Sequence, residues 1–193
     1  MKILDEKYIN KAASLLGRED LLKSITLKHV NPDGKGGGSK RLDNIWDNLE
    51  RCGKHFEIFP LKTILLYDCD TEKENKNVGN LYKRKIIHFP ENPINKGIEN
   101  LFSNETIIMA KQAKDSFINE HSATQRKIRG KVEIIPEIWE VDKDEKMNLC
   151  NWICDNGKRE HFTNFHHIFS MIESIIHPTA LPNVAKQAEE VKP

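Results

Sequence analysis

Lys62-Thr-Ile-Leu-Leu-Tyr-Asp-Cys-Asp70 is the stretch that sets the fold of this chain. Thr63 to Tyr67 is β-branched and Leu-rich, with no turn residue inside it. That composition predicts a buried strand, apolar on both faces as central parallel strands are. The apolar run stops at two carboxylates, Asp68 and Asp70. They stand at the C-terminal end of the strand, where open α/β sheets place their ligands. Flanking Cys69 in an extended backbone, the pair points the same way. Like charges this close repel unless a cation lies between them, and hard oxygen donors suit Mg²⁺ or Mn²⁺. The alternative is a turn that merely caps the strand, so the neighbouring segments decide.

Upstream, Tyr8, Ile9, Ala12, Ala13, Leu15 and Leu16 recur at helical spacing from Asp5 to Leu16, and Gly17 follows as a C-cap. Ser24 to Val30 alternates like a strand, and Asn31 to Ser39 is a Gly-rich loop. Leu42, Ile45, Trp46 and Leu49 then predict an amphipathic helix to about Cys52, with Ser39 as its N-cap. Downstream, Thr71 to Asn80 is a polar loop and Lys83 to Phe89 a second strand ending at Pro90. This order predicts an α/β fold with a mostly parallel sheet flanked by helices. Only Met1 to Leu4 precede the first helix, where such folds usually have a strand.

Asn92 to Phe102 is a loop entering a helical turn, and 104–121 is moderately helical. Ser122 to Lys131 is polar and basic, and Val132 to Val141 is strand-like, with Pro136 arguing for an edge strand or for two short pieces. A helix over Asp144 to Cys154, a turn at Asn156-Gly157 and a last helix carrying Phe162, Phe165, Ile168, Phe169, Ile172 and Ile175 complete the C-terminal helical appendage. The expected division is 1–103 for the α/β core, 104–177 for the extension and 178–193 for a loose tail.

The chain of 193 residues carries 30 Lys+Arg against 29 Asp+Glu, so overall charge argues for neither nucleic acid nor membrane. At 31% charged and 38% hydrophobic it has the composition of a globular protein. No apolar run is long enough to span a bilayer, and Met1 to Asp5 lacks the long apolar h-region expected of a secretory signal. Four cysteines fit reduced thiols, so a cytoplasmic location is expected.

Three features bear on a metal site. Asp68 and Asp70 close the buried strand; Glu99 lies between apolar residues; Asp5 and Glu6 open the first helix near the same sheet edge. For Glu99, Asp5 and Glu6, matching of the helix dipole is the competing explanation. The Gly34 to Gly38 loop is either an anion nest or a plain connection, and it lacks the Walker spacing. Lys35, Lys40 and Arg41, Lys83-Arg-Lys85, and Arg126-Lys-Ile-Arg129 supply cations for a phosphate backbone, or are solvated faces. Cys150 and Cys154 share a helix with Leu149, Trp152 and Ile153, which favours core packing over zinc.

The Leu66-Tyr-Asp-Cys-Asp-Thr71 strand end, the helix, strand, Gly-loop and helix before it, and the Asn92-Pro…Lys96-Gly-Ile-Glu-Asn-Leu-Phe102 segment resemble a TOPRIM domain. More narrowly, residues 5–175 resemble the C-terminal nuclease region of OLD-family proteins, AAA/ABC-type ATPases several of which serve in phage defence. The resemblance implies Mg²⁺-dependent (or Mn²⁺-dependent) cleavage of DNA. It implies metal ligation by Asp68 and Asp70, by Asp5 as the helix-start acid of a Glu-Gly-x-x-Asp pattern, and by Glu99, with Lys158 as a late catalytic lysine. The Glu that ends the family's first strand falls at Met1 here. The expectation is therefore a fragment, or an internal start, of a longer ATPase–TOPRIM protein. The expected partners are DNA, an AAA/ABC-type ATPase domain or subunit and further copies of the chain. Two alternatives are an inactive metal- or nucleic-acid-binding remnant and an interaction module docking on a separate ATPase through the apolar last helix.

Overall fold

The computed structural model describes residues 3–28, 38–52, 61–128, 131–135 and 137–178. Helix α1 (Ile3–Leu16) forms where expected: Tyr8, Ile9, Ala12 and Ala13 lie on one stripe and all are buried. Gly17, at φ +69°, ends it in the left-handed region that glycine enters without a Cβ penalty. A short helix α2 (Glu19–Lys23) follows. Ser24 to Lys28 form no strand; Ile25 and Leu27 pack instead against the main core, so the alternation there belongs to an irregular segment. His29 and Val30, and the Gly-rich loop up to Gly37, lie outside the described residues. Helix α3 (Gly38–Cys52) starts at Gly38, which puts Ser39 inside the helix rather than at its cap.

Strand β1 (Thr63–Tyr67) is the expected buried strand. The polar stretch after it holds a strand that hydropathy gave no sign of, β2 (Lys76–Val78), and β3 (Leu81–Lys85) begins two residues before the predicted position. The sheet order is β1-β3-β2. β1 and β3 are parallel, Thr63 opposite Leu81 and Tyr67 opposite Lys85, while β2 and β3 are antiparallel. Gly79 at φ +56° and Asn80 close that hairpin in two residues, a connection too short for a parallel crossover. The sheet is therefore mixed rather than mostly parallel, and the fold class is α/β.

The two faces of β1 are covered differently. Leu65 and Tyr67 pack with Leu42 and Trp46 of α3 and with Leu81. Ile64 and Leu66 lie against the main core, which runs from Tyr8 of α1 to the C-terminal helices. There Phe102 packs edge-on against Tyr8 and Phe162 at ring separations of 4.9 and 5.3 Å. Core residues on both sides of position 103, Phe102 and Ile107 among them, belong to this one cluster.

The segment read as helical over 104–121 is α4 (Asn104–Ala113), a 3-10 turn at Asp115–Phe117, and then β4 (Ile118–His121). Ser103 caps α4, its Oγ accepting from the Thr106 N–H. β5 (Thr124–Ile128) pairs antiparallel with β6 (Lys131–Ile135), and β4 with β7 (Ile138–Val141). β6 ends at Ile135 and β7 begins at Ile138, so the strand-like run forms two short pieces; Pro136 lies outside the described residues. Helix α5 (Lys146–Asn156) ends at Gly157, and a 3-10 segment (Arg159–Phe165) leads into α6 (His166–Ile176). Cys69, Cys150 and Cys154 are buried free thiols. Ile168, Phe169, Ile172 and Ile175 of α6 are buried in the chain's own core, so the apolar face expected to dock on an ATPase is already covered. Among the described residues no helix is long and apolar enough to cross a membrane.

Candidate functional site

The C-terminal end of β1 meets the starts of α1 and α3. Leu66, Tyr67 and Asp68 come from the strand, Asp5 from the first turn of α1, and Gly38, Ser39 and Leu42 from α3; together they line a hollow of about 20 Å³. That is room for one water-sized species. Asp5 is 7% exposed and Asp68 half-buried, so two carboxylates share a partly desolvated place. The first N–H groups of α3 stand beside them, and Ser39, Lys40 and Arg41 are exposed on that same helix start. An acidic wall faces a helix N-terminus, the end of a helix that favours anions.

Asp70 does not join that hollow. Past Tyr67 the backbone turns: the Asp68 carbonyl accepts from Thr71 N at 3.3 Å and from Thr71 Oγ1 at 2.9 Å. The alternation of an extended chain therefore stops before the two aspartates. Asp70, exposed, accepts through Oδ1 from the Gly97 N–H at 3.3 Å.

Glu99 sits on the other side of the same glycine. It belongs to a 3-10 turn, Ile98–Leu101, whose four residues are all buried. Gly97 has φ +72°, and a Cβ there would lie 2.5 Å from Glu99 Oε2. Glycine is thus required twice at this position, by backbone conformation and by the carboxylate against it. Cys69 completes the corner: its thiol donates to the Gly97 carbonyl at 3.2 Å. Burial, then Asp70 and Asp68, push that thiol up to about 12, so it remains a protonated donor at neutral pH. Behind Glu99, Asn100 fixes the loop. Its Nδ2 donates to the Phe89 and Ile94 carbonyls at 2.9 and 2.7 Å, and its Oδ1 accepts from the Phe89 N–H at 2.8 Å.

The α3 side is framed by ion pairs. Asp43 lies 2.9 Å from Lys73 and 3.7 Å from Lys83, and accepts from the Tyr67 hydroxyl at 3.1 Å. Burial opposes ionisation of Asp43, but Lys73, Tyr67 and Lys83 outweigh it and hold the carboxyl below its usual range. Lys83 also stands over the Trp46 ring at 4.7 Å. Of the basic run Lys83-Arg-Lys85, the first lysine is therefore spent inside the fold: its side chain is 13% exposed.

The predicted acids thus fall into two pairs at one strand end: Asp5 with Asp68 in the hollow, Asp70 with Glu99 about Gly97. Among the described residues no three His, Cys, Asp or Glu side chains converge as a metal-holding group. Lys158 is exposed, immediately precedes the 3-10 segment before α6 and does not line the hollow; its N–H donates to His161 Nδ1 at 3.0 Å. Gly97, Cys69 and Asn100 are site residues that sequence reasoning passed over. Only the Gly just before Ile-Glu hinted at them, since a turn glycine beside a buried acid marks a close approach. No protein family, curated protein or solved structure matches the chain.

Proposed function

We propose that the acidic rim of β1 is a divalent-cation site serving phosphodiester hydrolysis, in the manner of the TOPRIM domain that the sequence resembles. The observation that carries this is the meeting of Asp5 and Asp68, 63 positions apart, in one ion-sized hollow beside the start of α3. The donor set fits Mg²⁺ or Mn²⁺: hard oxygens, and only two of them, as suits an ion that keeps several waters and binds through one or two carboxylates plus phosphate. A bound ion of this kind polarises a phosphoryl group and lowers the pKa of a coordinated water.

The chain's own residues have distinct parts. Asp5 and Asp68 hold charge in a fixed, half-dry place; the N-terminal amides of α3, with Lys40 and Arg41 beside them, offer a landing place for a phosphate. Asp70 and Glu99, positioned by Gly97 and Cys69, set the negative potential of the rim. The substrate under this proposal is DNA. An inactive cation-binding remnant is the second reading, favoured by the two pairs standing apart rather than as one cage.

Nicking of supercoiled plasmid by the purified chain with Mn²⁺ separates the two. Nicking that Asp68→Ala abolishes supports hydrolysis. Mg²⁺-dependent thermal stabilisation lost in Asp68→Ala, without nicking, supports the remnant. The absence of both discards the site.

A further inference from the structure

The described residues from β4 to β7 make a nested hairpin: β4 with β7 as its root, β5 with β6 beyond it. The root is tied to the rim. The Trp139 N–H donates to the Pro93 carbonyl at 3.4 Å, Ile94 bridges to Trp139, and Lys96 Nζ lies 2.6 Å from Glu140. These contacts hold the segment that ends at Gly97. Phe117, Ile118 and Val141 anchor the same root in the main core. Among the described residues the β5–β6 ladder pairs with no other strand, and Thr124, Gln125 and Val132 are exposed, Val132 at 61%.

Charge is concentrated on that outer ladder. Residues 124–135 carry four cations against one carboxylate, a net of +3 in a chain whose total is +1. The register sets Arg126 opposite Glu133, so the only acid in the ladder is matched across the strands, while Lys127 stands opposite Val132 and Lys131 opposite Ile128. Two cations are thus left without an acidic cross-strand neighbour. A two-stranded antiparallel ribbon is of a width that the major groove of B-form DNA admits. At about 3.3 Å per residue the five-residue strands of the outer ladder extend on the order of 17 Å, about half a turn of duplex.

We infer that the β5–β6 ribbon is an arm that grips double-stranded DNA, with Lys127 and Lys131 neutralising phosphates and the root setting the duplex beside the rim of β1. Binding by the arm does not depend on hydrolysis; only the fate of the bound duplex rests on the proposed function.

The test measures affinity of the full chain for a fluorescent 30-base-pair duplex and for one of its strands. The buffer contains EDTA, which takes metal chemistry out of play, and salt runs from 50 to 200 mM. Each phosphate contact contributes about 0.9 to the slope of log affinity against log salt. Lys127→Gln with Lys131→Gln leaves Arg126 and Glu133 in place and should flatten the duplex slope by about 2. The wild-type chain should then lose roughly tenfold more affinity across that salt range than the variant. Lys23→Gln with Lys28→Gln, an equal loss of charge elsewhere, should leave the slope unchanged. An unchanged slope in the arm variant, an equal drop in the control pair, or equal binding of the single strand overturns the proposal. So does a change of oligomeric state in light scattering, which would assign the ribbon to contacts between copies. A circular-dichroism melt matching the wild type shows that the variants are folded.

Discussion

The two acidic pairs at the end of β1 are built in opposite ways. Asp70 and Glu99 are positioned by main chain: a glycine N–H, a turn of buried residues and a thiol bonded to a carbonyl. Asp5 and Asp68 are positioned by the packing of whole elements, α1 and β1, around a small hollow at the start of α3. A corner fixed by backbone is rigid and leaves no space. A hollow between elements has room for an ion and yields when the elements move. Under the proposed function, the difference gives the ligand-holding part to Asp5 and Asp68 and the shaping of the rim to Asp70 and Glu99.

The most severe way to break the rigid corner is Asn100→Ala. It leaves the Phe89 N–H and the Phe89 and Ile94 carbonyls without their partner in a buried place, which should cost on the order of 3 kcal/mol or more in urea unfolding. The hollow is challenged next. If Asp5 and Asp68 hold the ion, Mg²⁺ at a hundred times its dissociation constant should stabilise the wild type by about 2.7 kcal/mol. That gain should vanish in Asp68→Asn and persist in Asp70→Asn, as followed by thermal melts.

Gly97→Ala sharpens the contrast. Strain at φ +72° and the push against Glu99 should cost about 1–3 kcal/mol while leaving most of the Mg²⁺ stabilisation intact. Loss of that stabilisation in Gly97→Ala would merge the two pairs into one site. The smallest effect lies on the α3 wall. Asp43, its carboxyl held below the usual range, favours the fold above the unfolded value of about 3.9. That contribution is lost as pH falls through the lower folded value. Asp43→Asn should accordingly lower stability at neutral pH, converge on the wild type below about pH 4, and so flatten the acid limb of a stability–pH curve.

What the sequence made legible were the features whose cause is local. Thr63 to Tyr67, with no turn residue inside it, becomes β1, and Gly17 ends α1. Where the cause is a partner elsewhere in the chain, pattern misled. Lys76-Asn-Val78 has a single apolar residue and is a strand because β3 lies beside it. Ile25 and Leu27 alternate yet form no ladder, because both contact the main core directly. The acids show the same division. That they gather at one strand end follows from β1 itself, whereas their sorting into two pairs depends on the turn at Asp68–Thr71 and on Gly97, neither of which hydropathy encodes.

At the opposite end of β1, Lys62 Nζ donates to the Ile175 and Ile176 carbonyls at 2.6 and 3.1 Å, a cation on the last turn of α6. The strand is thereby moored at its entrance to the final helix. Under the proposed function, a polyanion pulling at its acidic exit would meet a strand already tied at the far end to α6. Five residues of sheet become a strut between the place where a ligand would pull and the mass that resists.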